Sequence, residues 1–158
     1  MTVAVNATGL RPARFEDGYA LWLWSNDPLT RRWSGSRAPI HFERHMVWLA
    51  RRLADPSTLI LFAEDEAGTP VGSVRFETTD GWQTARLSYV VAPRFRGQGR
   101  SRGLVSDAMR RLMEAHPAAQ VWAEVLQGNE ASLRVFRGLE WFRAPIPAGD
   151  KLTFWWRP

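Results

Sequence analysis

The chain is predicted to fold as a single α/β (α+β) domain with a mixed, mostly antiparallel sheet of six to seven strands and helices on both faces. Three observations predict it. Apolar segments follow the order strand, helix, helix, three strands, helix, strand, helix, two strands. Turn residues join the central strands as an antiparallel meander, and the strand–helix–strand run after it adds a crossover, so the sheet is mixed. The chain has 158 residues, 45% hydrophobic and 23% charged, which suits one globular domain with an adequate core.

Leu10 to Ala13 reads as a short first strand. Phe15 to Ser25 reads as a helix with Phe15, Tyr19, Trp22 and Leu23 on one face. Glu16 and Asp17 sit in its first turn, where the dipole favours them, and Asp27-Pro28 ends it. Phe42, Met46, Leu49 and Leu53 recur at helical spacing and predict a second helix closed near Asp55-Pro56. Leu59 to Ala63 is a strand, Ala67-Gly68 a turn, and Val71 to Thr78 a strand with Gly72, Val74 and Phe76 on one face. Asp80-Gly81 reads as a hairpin turn into a strand from Trp82 to Ala92. Leu104, Val105, Ala108, Met109, Leu112 and Met113 form the stripe of a third helix. Gln120 to Leu126 is a strand and Glu130 to Gly138 a helix; Glu140 to Ala144 and Lys151 to Arg157 are expected to close the sheet as an antiparallel pair.

The composition narrows the function. There is no cysteine, which excludes disulfides, a thiolate nucleophile and zinc–thiolate sites. No apolar run approaches the ~20 residues of a membrane span, and the N-terminus lacks a signal-peptide pattern, so a cytoplasmic protein with no membrane partner is expected. The net charge of +5 rests on twenty arginines and one lysine and fits a phosphate-rich partner such as a nucleic acid, CoA or a sugar nucleotide.

The densest arginine cluster lies in Arg94-Phe95-Arg96-Gly97-Gln98-Gly99-Arg100-Ser101-Arg102-Gly103, between the apolar run Leu87 to Ala92 and the third helix. A strand, a glycine-bearing turn and a helix start make an anion cradle, because first-turn N–H groups have no helical partner and the dipole adds partial positive charge. Gly97 and Gly99 let the backbone approach a ligand without Cβ atoms in the way, while Arg94, Arg96, Arg100 and Arg102 bring full charges. The spacing fails GxGxxG, since Gly103 comes one residue late, and it fails the P-loop, since the only lysine is Lys151. A compact polyphosphate fits this cluster better than a long nucleic-acid backbone, so no nucleic-acid partner is expected.

Arg96-x-x-Gly99-x-Ser101 resembles the acyl-CoA pyrophosphate loop of the GNAT superfamily of N-acetyltransferases, with Ser101 in place of the last small residue. The strand and helix order is also similar to that superfamily over nearly the whole chain. The resemblance implies acetyl-CoA as co-substrate, held by Arg94, Arg96, Gly97, Gln98, Gly99, Arg100 and Ser101. It further implies a bulge in the strand before the loop, whose N–H groups at Val90, Val91 and Ala92 would face the thioester and the pantetheine arm.

Val121 to Ser132 resembles the second signature of the superfamily, a strand followed by N-x-x-S/A opening a helix. Asn129 then contacts the pantetheine, although Asn129 and Ser132 are also good capping residues in any protein. The tyrosine that often protonates the departing thiolate falls four residues beyond Ser132, where this chain has Phe136. Phe136 can pack against the arm but cannot donate a proton. Ser132, Tyr89 or a water must serve instead, unless the thiolate leaves unassisted, which a thiol pKa near ~8.5 tolerates. Glu124 lies at the position where similar ribosomal-protein alanine acetyltransferases carry a glutamate that deprotonates the amine; the alternative is a strand glutamate that faces solvent or pairs with an arginine.

The N-terminal half resembles that of nucleotide-amino-sugar N-acetyltransferases: a W-x-N stretch at Trp24, His45-x-x-Trp48 on the second helix, and Gly72-Ser73-Val74-Arg75-Phe76. The resemblance implies Trp24, His45, Trp48 and Arg75 as acceptor-binding residues, with core packing of Trp48 as the alternative. His41 and His45 are four apart but do not form H-E-x-x-H, so no metal is expected. The expected reaction is direct acetyl transfer to the primary amine of a small molecule, an amino sugar on a nucleotide, by a monomer or homodimer. A protein N-terminus, an aminoglycoside, or a non-catalytic CoA-binding role are the alternatives.

Overall fold

The computed structural model describes residues 9–158. The signal-peptide expectation concerns the first residues and lies outside the described ones. The elements are β1 (Gly9–Pro12), a 3-10 turn (Phe15–Asp17) running into α1 (Gly18–Asn26), α2 (Pro28–Arg32), α3 (Phe42–Ala54), β2 (Thr58–Glu64), β3 (Pro70–Glu77) and β4 (Thr84–Val91). A second 3-10 turn (Pro93–Phe95) leads to α4 (Arg100–Ala115), β5 (Gln120–Leu126), α5 (Glu130–Arg137), β6 (Ile146–Ala148) and β7 (Lys151–Trp156). One seven-stranded sheet has the order β1-β2-β3-β4-β5-β7-β6, and β4–β5 is its parallel pair.

Helices cover both faces. A Cβ on Gly72 would lie 3.0 Å from Leu104 Cδ2, so the Gly72, Val74, Phe76 face of β3 packs on α4. Val74 and Phe76 are fully buried there with Leu104 and Met109. The opposite face, with Ser73 and Arg75, looks toward α1 and α3. Buried side chains from both layers form one continuous core. No described helix is long and apolar enough to cross a membrane.

Three elements depart from the sequence reading. Helix α1 buries Gly18, Leu21 and Trp24, while Phe15, Tyr19 and Leu23 are exposed. Its sequence is apolar on nearly every side, so periodicity alone does not choose a face. Asp27-Pro28 ends α1 but also starts α2: the Asp27 carboxylate accepts from the Leu29 and Thr30 N–H groups at 3.1 and 3.3 Å, and Pro28 takes the first helical position. The partner of β7 is Ile146–Ala148 rather than Glu140 to Ala144. Gly149, at φ +63°, forms the tight turn between them, and Leu139 and Phe142 are drawn into the core instead of pairing.

Candidate active site

The site begins with a divergence of strands. β4 and β5 pair only from Thr84↔Gln120 to Arg86↔Trp122. Beyond that point β4 stays with β3 through Val91, and β5 stays with β7 through Leu126. Their facing main-chain edges open a cleft of about 390 Å³, closed at one end by the starts of α4 and α5.

The expected bulge is not there: β3–β4 register runs unbroken from Gly72↔Val91 to Glu77↔Arg86. The Ala92 N–H is also engaged, donating to Val71 O at 2.8 Å. Hydrogen-bonded pairs alternate along an antiparallel ladder, so Val90 and Ser88 bond toward β3. The N–H groups of Tyr89 and Val91 point the other way, into the cleft. Divergence of the strands, and not a bulge, leaves these N–H groups unpaired with a neighbouring strand. Of the three residues expected to present N–H groups, Val91 alone does so; Val90 contributes its side chain to the wall.

In the loop, Gly97 and Gly99 have φ of +72° and +71°, left-handed values that glycine adopts without strain. A Cβ at either would meet open space, so conformation and not crowding within the protein requires glycine there. Gly99 is the N-cap of α4, and no side chain caps that start, which leaves its first-turn N–H groups free for an anion. The arginines divide. Arg96 lines the cleft but donates to Asp27 at 2.7 Å and Thr30 at 2.9 Å, so its charge is matched by a carboxylate. Arg94 and Arg100 each lie over the Phe95 ring at 5.1 Å. Arg102 points at Gly138, at the end of α5. Gln98 donates to the Arg94 carbonyl at 3.0 Å.

Across the cleft, Asn129 caps α5 by accepting from the Ser132 N–H at 3.4 Å while also lining the wall. Phe136 is buried against Phe154 and Phe142 and turns an edge to Tyr89 at 6.0 Å. Tyr89 is the residue that its strand position under-signalled. Its hydroxyl lies 3.1 Å from Ser132 Oγ in the first turn of α5, and Ser101 at the start of α4 lines the same cleft. Burial raises the Tyr89 pKa, and the two serine hydroxyls oppose that. Glu124 lines the cleft with its carboxylate between Arg86 at 3.4 Å and Lys151 at 3.5 Å, the ion-paired alternative.

A second cavity of about 150 Å³ lies between α1, α3 and the sheet, and meets the cleft at Thr30, Ser88, Tyr89 and Val90. His45, Trp48 and Arg75 line it. The Arg75 guanidinium stands over Trp48 at 5.2 Å, and His45 tilts against Trp48 at 5.5 Å. Trp24 does not line it: that ring is buried and stacked on Phe62 at 5.4 Å. Thr30 and Trp33 of the α2 segment, which the sequence reading missed, border the cleft, and Trp33 lies 3.6 Å from a Cβ position on Gly128. Asp27-Pro28, a capping residue before an N1 proline, was the available signal.

The family model described as an acetyltransferase (GNAT) domain matches residues 8–140. The chain belongs to that family. Members take their acetyl group from acetyl-CoA, so this GNAT domain is an N-acetyltransferase with that co-substrate. The uncapped α4 start, the left-handed glycines and the open strand edges fit such a ligand. Among solved structures, a spermidine N-acetyltransferase from Vibrio cholerae in complex with CoA and spermine is 14% identical, with TM-score 0.82 and 94% of each chain covered. A ribosomal-protein-alanine N-acetyltransferase from Brucella melitensis is 23% identical, with TM-score 0.76, over 94% of this chain and 99% of that one. The yncA protein of Salmonella typhimurium, a putative acetyltransferase with its cofactor acetyl-CoA, is 22% identical, with TM-score 0.74, over 94% and 91%. At these identities the likeness is one of fold. No curated protein sequence matches the chain.

Proposed function

We propose that this GNAT domain transfers acetyl directly to the primary amine of a small acceptor that is not a polycation, with a nucleotide-linked amino sugar as the preferred class. The observation that carries the reading is the meeting of two cavities at Ser88–Val90: one suits the pantetheine arm and the other the acceptor. Gly97 to Ser101 hold the pyrophosphate with backbone N–H groups, helped by Arg94 and Arg100. The Tyr89 and Val91 N–H groups and Asn129 orient the arm. Tyr89, with Ser132 beside it, supplies the proton to the departing thiolate in place of the hydroxyl that Phe136 lacks. No covalent intermediate is needed when amine and thioester share the site. Glu124 and His45 are the two groups placed to take the ammonium proton.

The acceptor class rests on charge. The second cavity is lined by Arg75 and by no carboxylate. Arg75 pairs with Glu77 at 3.1 Å, and a polyamine of the kind bound by the Vibrio cholerae enzyme would meet no carboxylate lining this cavity. The test is thiol release from acetyl-CoA with a nucleotide-linked amino sugar, an alanine-terminated peptide, an aminoglycoside and spermidine. The sugar nucleotide is expected to be fastest. Faster turnover of spermidine would overturn the acceptor class, and acetyl-CoA binding without thiol release on any amine would favour a non-catalytic CoA-binding domain.

A further inference from the structure

We propose that His45 Nε2, and not Glu124, takes the proton of the acceptor ammonium; this rests on the acetyltransferase reading above. His45 is 4% exposed, and its Nε2 has no hydrogen-bond partner. A buried polar nitrogen without a partner is costly in a folded protein, and it is found where a ligand supplies the partner. In the base role Nδ1 carries the ring proton and Nε2, which has no partner within the protein, offers its lone pair to the entering amine.

Placement supports this. His45 lines the cavity that adjoins the cleft at Ser88, Tyr89 and Val90, where amine and thioester would meet. Glu124 already faces two cations. Arg75 on β3 and Tyr89 on β4 share the cavity of His45. Asp17, on the turn packed against α3, and Glu64 of β2 are both bound by Arg11, at 2.8 and 2.9 Å. Glu43 and Arg44 on its own helix are exposed. Burial lowers the His45 pKa, opposed by the Gly18 backbone, so the imidazole is unprotonated at neutral pH. Removal from water into this partly apolar cavity favours the uncharged form of an amine, which brings it toward the range an imidazole can deprotonate.

The step balances as follows. The ammonium gives one proton to Nε2, and the freed lone pair forms the N–C bond to the thioester carbonyl. The C–S bond breaks as the Tyr89 hydroxyl gives its proton to the thiolate sulfur, and the second proton of the nitrogen replaces it on the Tyr89 oxygen through water. His45 returns its proton to water.

The experiment pairs His45→Gln with Glu124→Gln on the fastest amine of the panel. His45→Gln should slow kcat/KM about 100-fold near neutral pH and recover about tenfold per pH unit toward the pKa of the amine, as free base replaces the missing acceptor. Its acetyl-CoA affinity should be unchanged. Loss that is equal at all pH, or a pH-dependent loss in Glu124→Gln alone, overturns the proposal. Imidazole 15N NMR of the wild type needs neither variant nor acceptor: the Nδ1–H tautomer is expected, and the Nε2–H tautomer overturns the assignment. Failure of acetyl-CoA to bind the wild type would instead sink the acetyltransferase reading.

Discussion

Replacing Tyr89 by Phe removes one oxygen and keeps the ring that meets Phe136 at 6.0 Å. The lost group is the hydroxyl 3.1 Å from Ser132 Oγ. A neutral hydrogen bond contributes about 1 kcal/mol net, and for a domain of this size that lowers Tm by about 2–4 °C. The effect on rate should be much larger than the effect on stability. A positioned general acid is worth about 100- to 10,000-fold, and a thiol leaving group with a pKa near ~8.5 puts this one at the low end, about 100-fold in kcat. Burial raises the Tyr89 pKa above its unfolded value, against the opposing serine bonds. The phenol is therefore protonated throughout the working range, and any stability it adds is present below about pH 10 and lost as pH rises through the folded pKa. The assay is single-turnover thiol release at saturating acetyl-CoA, with the melting temperature measured in parallel. A Tyr89→Phe enzyme with kcat within about twofold of wild type would refute the proton-donor role.

Gly72→Ala tests how β3 positions the cleft. Its Cβ would sit 2.5 Å from the Val90 carbonyl oxygen, a backbone atom that cannot swing aside. A loss of about 1–3 kcal/mol in urea unfolding is expected, with a raised KM for acetyl-CoA because the β4 edge must shift. Asp27→Ala removes both the α2 cap and the carboxylate 2.7 Å from Arg96, and should lower stability by about 1–2 kcal/mol at neutral pH. Burial tends to raise the Asp27 pKa, but Arg96 and the α2 N–H groups outweigh it and hold it low. The Asp27 contribution is thus present above the unfolded pKa of about 3.9 and lost as pH falls through the lower folded value. The gap between wild type and Asp27→Ala in urea unfolding should narrow below about pH 3.5; a constant gap would contradict this.

The sheet and most helices could be read from the chain because their apolar spacing is regular and their ends carry strong punctuation. The stripe from Leu104 to Met113 and the strand from Gln120 to Leu126 are such cases, and both hold in the structure. Helix α1 shows the limit: with Tyr19, Leu21, Trp22, Leu23 and Trp24 all apolar, only the rest of the fold decides that Trp24 goes inward. The site was legible where a motif ties residues to backbone shape, as at Gly97 and Gly99, both left-handed. It was less legible where long-range contacts set the role. Arg96 finds Asp27 across 69 positions, and Tyr89 finds Ser132 across 43. Neither spacing leaves a local pattern.

The central claim is that the cleft between β4 and β5 binds acetyl-CoA, and thermal unfolding of the wild-type chain with acetyl-CoA tests it most directly. At 100 times Kd, a ligand that binds only the native state adds about 2.7 kcal/mol, so Tm should rise by about 5–10 °C. An unchanged Tm at saturating acetyl-CoA would contradict the account.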